Sequence, residues 1–291
     1  MKIATKFLFL IILAFSCMPV FAEGNYCETS MCPAETTVSG PIASTLSKIS
    51  GMNFLVSKTL ESQIKKQMDK ALNADFKVEL EPFGAKSMLE GKFKSFSAHS
   101  DTAYFEGFYI SNVNAQSLCG YNHFVYKDGQ VYTNENFLMS FSIDVTSADL
   151  QKMVNTPEYL KMMNSLNVSV AGLSVFKIFD PKAEIKDNRL VFSMKVVSPL
   201  TLGEPKMIST SMGLDLQDGK LIFTDVQTSP NLANANLNVL LPLINKLNPF
   251  VFKANIMNNS KSIIKLKDIN FVDNKIVIKG LVIVPKNYYN N

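Results

Sequence analysis

Ala183-Glu184-Ile185-Lys186-Asp187-Asn188-Arg189-Leu190-Val191-Phe192 is two short runs of alternating apolar and polar side chains joined by Asp-Asn. Asp and Asn tolerate the left-handed dihedrals of a two-residue hairpin turn, and Gly adopts them freely because it lacks a Cβ. The same punctuation recurs at Asp128-Gly129, Asp218-Gly219 and Asp273-Asn274. Each turn fixes a register. The second residue out on either side should form a cross-strand pair: Tyr126 with Val131, Ile185 with Leu190, Leu216 with Leu221, and Phe271 with Ile276. Two residues further out, Phe124 with Thr133, Ala183 with Phe192, Leu214 with Phe223 and Ile269 with Ile278 continue the same faces. A two-stranded ribbon does not stand alone. Four hairpins with an apolar face are therefore expected to share one large antiparallel sheet, and what covers that face decides the function.

The first residues speak to compartment. Lys2 and Lys6, the apolar run Phe7 to Phe15 and the segment ending Val20-Phe21-Ala22 have the three-part layout of a secretory signal peptide, 1–22, with cleavage after Ala22. The run is too short to span a bilayer as a helix, and no other stretch approaches about 18 apolar residues. Leu13-Ala14-Phe15-Ser16-Cys17 offers a rival reading, with Cys17 as a lipid-attachment cysteine, although Phe15 fits that pattern poorly. Beyond the leader the expected organisation is an N-terminal flexible segment, 23–40, a single elongated domain, 41–287, and a tail, 288–291. The exported chain is about 270 residues long, enough for a sizeable core given 47% hydrophobic residues.

Cleavage leaves Cys27, Cys32 and Cys119. In an oxidising periplasm or cell envelope the short spacing favours a Cys27–Cys32 disulfide with Cys119 buried and free. Metal binding is poorly served: the only histidines are His99 and His123, and no Cys-x-x-Cys or His-x-x-x-His spacing accompanies them. No metal and no cofactor is expected. Charge is nearly balanced, with 29 basic residues, two of them in the leader, against 25 acidic. That argues against nucleic acid as a partner. Arg189 is the sole arginine, so anion contacts must use lysine point charges. Lysines gather near the C-terminus, and Lys261, Lys265, Lys267 and Lys279 are candidates for transient contact with anionic head groups at a membrane surface. A solvated strand face is the plainer reading of the same residues.

From Thr45 to Leu72, Ile49, Met52, Val56, Leu60, Ile64, Met68 and Leu72 mark an amphipathic helix, with a bend expected near 51–57 because four-residue steps drift round the helix axis. At Phe76, Val78 and Leu80 the period changes to two. Thr146, with Asp149 three residues on, is an N-cap opening a helix through Val154, and Thr156-Pro157-Glu158 opens another towards Leu166. Leu237, Leu240, Leu241 and Ile244 suggest a further helical turn that Pro242 must kink or begin. Strands around 262–270 and 275–284 close the chain.

Chemical motifs are absent: no Gly-x-Ser-x-Gly elbow, phosphate loop, dinucleotide fingerprint or zinc-protease helix occurs. No catalytic residues are assigned and no enzyme activity is expected; a hydrolase assembled in space around His99 or His123 is the minor alternative. The 14 Met and 21 Phe, with no Trp, mostly serve core packing, yet adaptable side chains also suit a surface that receives acyl chains.

Pro41 to Phe124 and Asn236 to Asn287 resemble the LmeA-like phospholipid-binding proteins of bacterial envelopes, themselves similar to the tubular lipid-binding superfamily (TULIP) that includes bactericidal permeability-increasing protein. The resemblance rests on the amphipathic N-terminal helix and on Gly91-Lys92-Phe93-Lys94-Ser95-Phe96 and Ser117-Leu118-Cys119-Gly120-Tyr121-Asn122. Leu241-Pro242-Leu243-Ile244-Asn245-Lys246-Leu247-Asn248-Pro249 and Lys275-Ile276-Val277-Ile278-Lys279-Gly280 complete it. It implies an α+β fold in which a strongly curved antiparallel β-sheet wraps round a long helix, with a phospholipid or other acyl lipid held between them. The helix is the only long apolar stripe available as a cover. Met52, Val56, Leu60, Ile64 and Met68 are therefore expected against Phe192, Met194, Met212, Leu214 and Phe223, with lipid where packing is incomplete. Two other classes remain open: a non-catalytic envelope interaction module whose core is self-filled, and an outer-membrane barrel, which leaves no place for the helix.

Overall fold

Asp187 and Asn188 both adopt positive φ, 53° and 56°, and so do Asp273 and Asn274, at 50° and 57°. These are the two central residues of mirror-image turns, whose twist matches that of the flanking strands. The computed structural model describes residues 31–33, 52–105, 107–127, 130–165, 167–170, 173–197, 204–217, 220–228 and 263–286. Within them, helix α1 (Met52–Leu72) leads to strand β1 (Lys77–Pro82), a short helix α2 (Ala85–Leu89), and strands β2 (Lys92–Phe105), β3 (Phe108–Ser117), β4 (Asn122–Lys127), β5 (Gln130–Thr133) and β6 (Phe137–Thr146). Helices α3 (Ser147–Val154) and α4 (Pro157–Ser165) follow, then β7 (Val168–Val170), β8 (Leu173–Lys186), β9 (Arg189–Val197), β10 (Lys206–Gln217), β11 (Lys220–Thr228), β12 (Ile263–Val272) and β13 (Lys275–Val284). The molecule is α+β and mostly antiparallel sheet.

All eight expected cross-strand pairs are present, from Tyr126 with Val131 to Ile269 with Ile278. The single large sheet is not. The hairpins divide between an eight-stranded sheet, ordered β12-β13-β6-β3-β2-β4-β5 with β1 added to β2, and a five-stranded sheet, β11-β10-β9-β8-β7. A turn sets the register inside its own hairpin and carries no information about which hairpins become neighbours. The two sheets touch where β10 meets β12 and feed one continuous apolar core.

Local chemistry places the helices. Thr146 accepts from the Asp149 backbone N–H at 3.2 Å, and the Asp149 carboxylate accepts from the Thr146 backbone N–H at 3.0 Å, closing a capping box at the start of α3. The Thr156 hydroxyl accepts from the Tyr159 N–H at the start of α4. Both helices pack on β8, and the Tyr159 ring meets Phe192 edge-on at 6.4 Å.

This corrects the expected cover. Phe192, Met194 and Met212 belong to the same continuous core as Ile64, Met68 and Leu72, but the principal contacts of α1 are with β1, α2 and β2, while α3 and α4 pack on β8 of the second sheet. Two short helices suffice for the second sheet, leaving α1 to the first. A second correction concerns the thiols. Cys32 is bonded to Cys119, with Cα atoms 5.5 Å apart, and Cys27 lies outside the described residues. Sequence proximity misled because Cys119 follows β3 on the sheet face opposite the main core. There it packs with Leu138 and Ile283 beneath Met31 and Cys32.

Candidate functional site

Gly91 builds the site. Its φ is +77°, and a Cβ there would stand 1.7 Å from the Phe124 carbonyl oxygen. Only glycine permits that approach. The Phe124 N–H donates to the Gly91 carbonyl at 2.8 Å, the Gly91 N–H donates to Met88 at 2.9 Å, and Asn122 donates to the Lys94 carbonyl at 2.8 Å. The α2 turn, the start of β2 and the start of β4 are thereby locked together. Two of the segments that carry the family resemblance, Gly91–Phe96 and Ser117–Asn122, adjoin here.

Between this corner and α1 lies an apolar cleft of about 170 Å³. Leu60 and Ile64 form its helix wall, and Leu80, Met88, Phe93 and Phe124 line the rest. Phe93 and Phe124 meet edge to face at 5.0 Å, and Phe124 stacks similarly on Phe137 at 4.8 Å, so these walls are rigid aromatic surfaces. At the rim Leu89 is 69% and Val125 39% exposed.

The polar groups of the cleft are Gln63 and Glu90. Glu90 is 2.8 Å from the Lys92 ammonium. The hydrogen bond from Lys92 holds the Glu90 carboxyl below its usual range, and the same bond raises Lys92. His123 pairs across from Lys92 in the sheet. Burial, reinforced by the Lys92 charge, lowers its imidazole pKa, and Nδ1 lies 3.1 Å from the Asn134 amide nitrogen.

Of the expected lipid contacts, Leu60 and Ile64 line the cleft. Met68 is buried in the core, as are Phe192, Met194 and Met212; Leu214 is buried at the core's edge and Phe223 packs on it. The side chains of Met52 and Val56 lie outside the described residues. Lys265, Lys267 and Lys279 are exposed on β12 and β13, and Lys261 is outside the described residues. Lys279 stands beside the buried Ile278, on the sheet face opposite the cleft, with β6 and β3 between its strand and β2. Cleft and lysines are therefore separate surfaces.

Leu80, Met88, Leu89, Phe93, Phe124 and Val125 were not foreseen as a site from the sequence. Leu60 and Ile64 are the lining residues that were expected as lipid contacts. The other imidazole, His99, is 2.9 Å from Asn114 and 3.1 Å from Asp101, amide and carboxylate partners with no nucleophile in the pair. Among the described residues no cluster of three or more metal-ligating side chains occurs, and no helix is long and apolar enough to cross a membrane. No protein-family model, curated protein or solved structure matches the chain.

Proposed function

We propose that this is an exported cell-envelope protein that binds the acyl part of a lipid in the cleft between α1 and the corner made by α2, β2 and β4. The observation that carries this reading is an apolar cleft with rigid aromatic walls whose rim, Leu89 and Val125, is itself apolar and exposed. Export is supported by a disulfide joining residues 87 apart, a bond that persists in oxidising compartments. From the resemblance the reading keeps a lipid lying between the N-terminal helix and a sheet, and it moves that lipid away from β9 and β10. Lys265, Lys267 and Lys279 are proposed to meet anionic head groups on another face of the molecule.

The energetics fit binding without chemistry. A cavity of about 150 Å³ holds a six-carbon ring, so this cleft accommodates about six to eight chain carbons. At about 0.8 kcal/mol per methylene that burial supplies roughly 5 to 6 kcal/mol, before the cost of association is subtracted, so such binding would be weak and reversible. Mass spectrometry of organic extracts from the purified mature protein tests the reading: lipid at near-stoichiometric yield supports it, and none sinks it. The second reading, a self-filled interaction module, is favoured by the burial of Phe192, Met194 and Met212 in the protein's own core, where the Tyr159 ring of α4 meets Phe192. An empty extract would pass the function to it.

A further inference from the structure

We infer that β12 is the seam of a symmetric dimer, pairing antiparallel with β12 of a second copy of this chain in the register that sets Lys267 of one copy against Asp268 of the other. The inference stands apart from the lipid-binding reading. An open edge, a bulge and a self-complementary strand carry it.

Among the described residues β12 ends the eight-stranded sheet and hydrogen-bonds to β13 alone. Its ten residues offer an edge of backbone donors and acceptors to another chain. The core-side residues Leu266, Ile269 and Phe271 are only partly buried there, and Val272 is 43% exposed.

Pairing with β13 assigns the faces of the strand. Leu266, Ile269 and Phe271 lie opposite Gly280, Ile278 and Ile276 on the core side, and Lys265, Asp268, Asn270 and Val272 lie opposite Leu281, Lys279, Val277 and Lys275 on the outer side. Lys267 is the extra residue of a bulge between Leu266 and Asp268, so the alternation of faces restarts there. A twofold axis perpendicular to the sheet must set core side against core side. About the midpoint of 267 and 268 it does so. Leu266 meets Ile269 on the core side, Lys265 meets Asn270 on the outer side, and Lys267 meets Asp268, each pair occurring twice. Ile264 with Phe271 and Ile263 with Val272 complete the register with apolar pairs. Without the bulge the same register would set every core-side residue against an outer one.

The neighbouring registers fail. A shift of one residue sets Lys267 against itself, or Asp268 against itself, and mixes the faces along the whole strand. A shift of two sets Lys267 against Leu266, or Asp268 against Ile269. Bulges and lysines on an edge strand ordinarily discourage pairing. Here the bulge restores the match of faces and the lysine meets a carboxylate, so together they reject other strands and accept this one. The same axis puts Lys265 and Lys279 of both copies on the outer side of one continuous sheet.

Sedimentation velocity and light scattering of the mature protein, from micromolar to millimolar concentration, test the inference together with a charge swap. The unmodified protein should form a dimer. Lys267→Asp sets Asp against Asp, and Asp268→Lys sets Lys against Lys, so each variant alone should dimerise at least about tenfold more weakly with an unchanged melting temperature. An equimolar mixture of the two variants places a Lys opposite every Asp, and its heterodimer should return to within about threefold of the unmodified dissociation constant. A monomer at every concentration overturns the inference. So does a dimer that neither substitution weakens, which must form elsewhere, and so does a mixture that stays monomeric. Slow amide exchange along the outer edge of β12 in dilute, monomeric protein would show that edge covered by the chain's own residues, and overturns it as well. Recovery of lipid by extraction is independent of all four results.

Discussion

Gly91 concentrates two constraints in one residue, a left-handed φ and a backbone contact that leaves no room for a methyl group. Gly91→Ala should therefore destabilise the protein by about 3 kcal/mol or more, measured by urea denaturation. Gly120 is the control: nothing lies within 4 Å of its would-be Cβ, so Gly120→Ala should change stability by about 0.5 kcal/mol or less. Equal losses at both positions would remove the Gly91–Phe124 contact as the cause. His123 makes a pH prediction at the same scale. Burial lowers its folded-state pKa below the unfolded value, so between the two the unfolded chain binds more protons. Its contribution to stability is complete above the ordinary histidine range, near 6.5, and is lost as pH falls through that range towards the folded pKa. His123→Gln should flatten this part of the acid limb in denaturation midpoints taken at half-unit pH steps. An unchanged slope would assign the limb to the carboxylates.

At the scale of elements, α1 guards the free edge of β1. Glu61, buried on the helix, accepts from the Leu80 N–H at 3.1 Å, and two turns on Asp69 accepts from the Phe76 N–H at 2.7 Å. An open edge would otherwise offer these donors to another chain. Glu61→Ala leaves the Leu80 donor unsatisfied in a buried setting and should cost about 1 to 3 kcal/mol, with faster amide exchange at Leu80. Glu61→Gln keeps an acceptor and should retain most of the protection. If both variants exchange alike, the edge-capping role is wrong. Such helix-to-strand bonds could not be read in advance, since nothing in Glu61 or Asp69 names a partner on β1. What could be read was local. Thr146 and Asp149 are three residues apart and must meet if a helix starts there, and Asp187-Asn188 fixes its own register. The five-residue α2 is too short to show a period, and with it went Met88 and Leu89, two walls of the cleft. The apolar stripe of α1 was legible, and Leu60 and Ile64 were expected as lipid contacts, but opposite β9 and β10 and not across a cleft from α2 and the start of β4.

For the molecule as a whole, the Cys32–Cys119 bond is the longest-range covalent constraint on the described chain. It fastens the segment at 31–33 across the back of the eight-stranded sheet, over Leu138 and Ile283. A five-residue loop between Cys27 and Cys32 would have restrained little of the unfolded ensemble. Closure of a loop of 87 residues removes, in the chain-entropy account, about 4 to 5 kcal/mol from the unfolded state. Reduction, or paired replacement of Cys32 and Cys119 by Ala, should therefore lower the melting temperature by on the order of 10 °C for a chain of this length. Cys27→Ser should leave it within about 2 °C. Non-reducing peptide mapping of protein taken from the envelope gives the independent check: the cross-linked peptide should contain Cys32 and Cys119. Recovery of a Cys27–Cys32 peptide, with Cys119 alkylated as a free thiol, would overturn the pairing and detach the 31–33 segment from its place over the sheet. A large fall for Cys27→Ser with little effect at Cys119 would overturn it by stability alone. Because Cys119 is within three residues of Asn122, whose amide donates to the carbonyls of both Cys119 and Lys94, the bond also braces the strand corner beside Gly91. Reduction should thus loosen the cleft before it unfolds the sheet, seen as faster amide exchange at Phe124 at temperatures below the main transition.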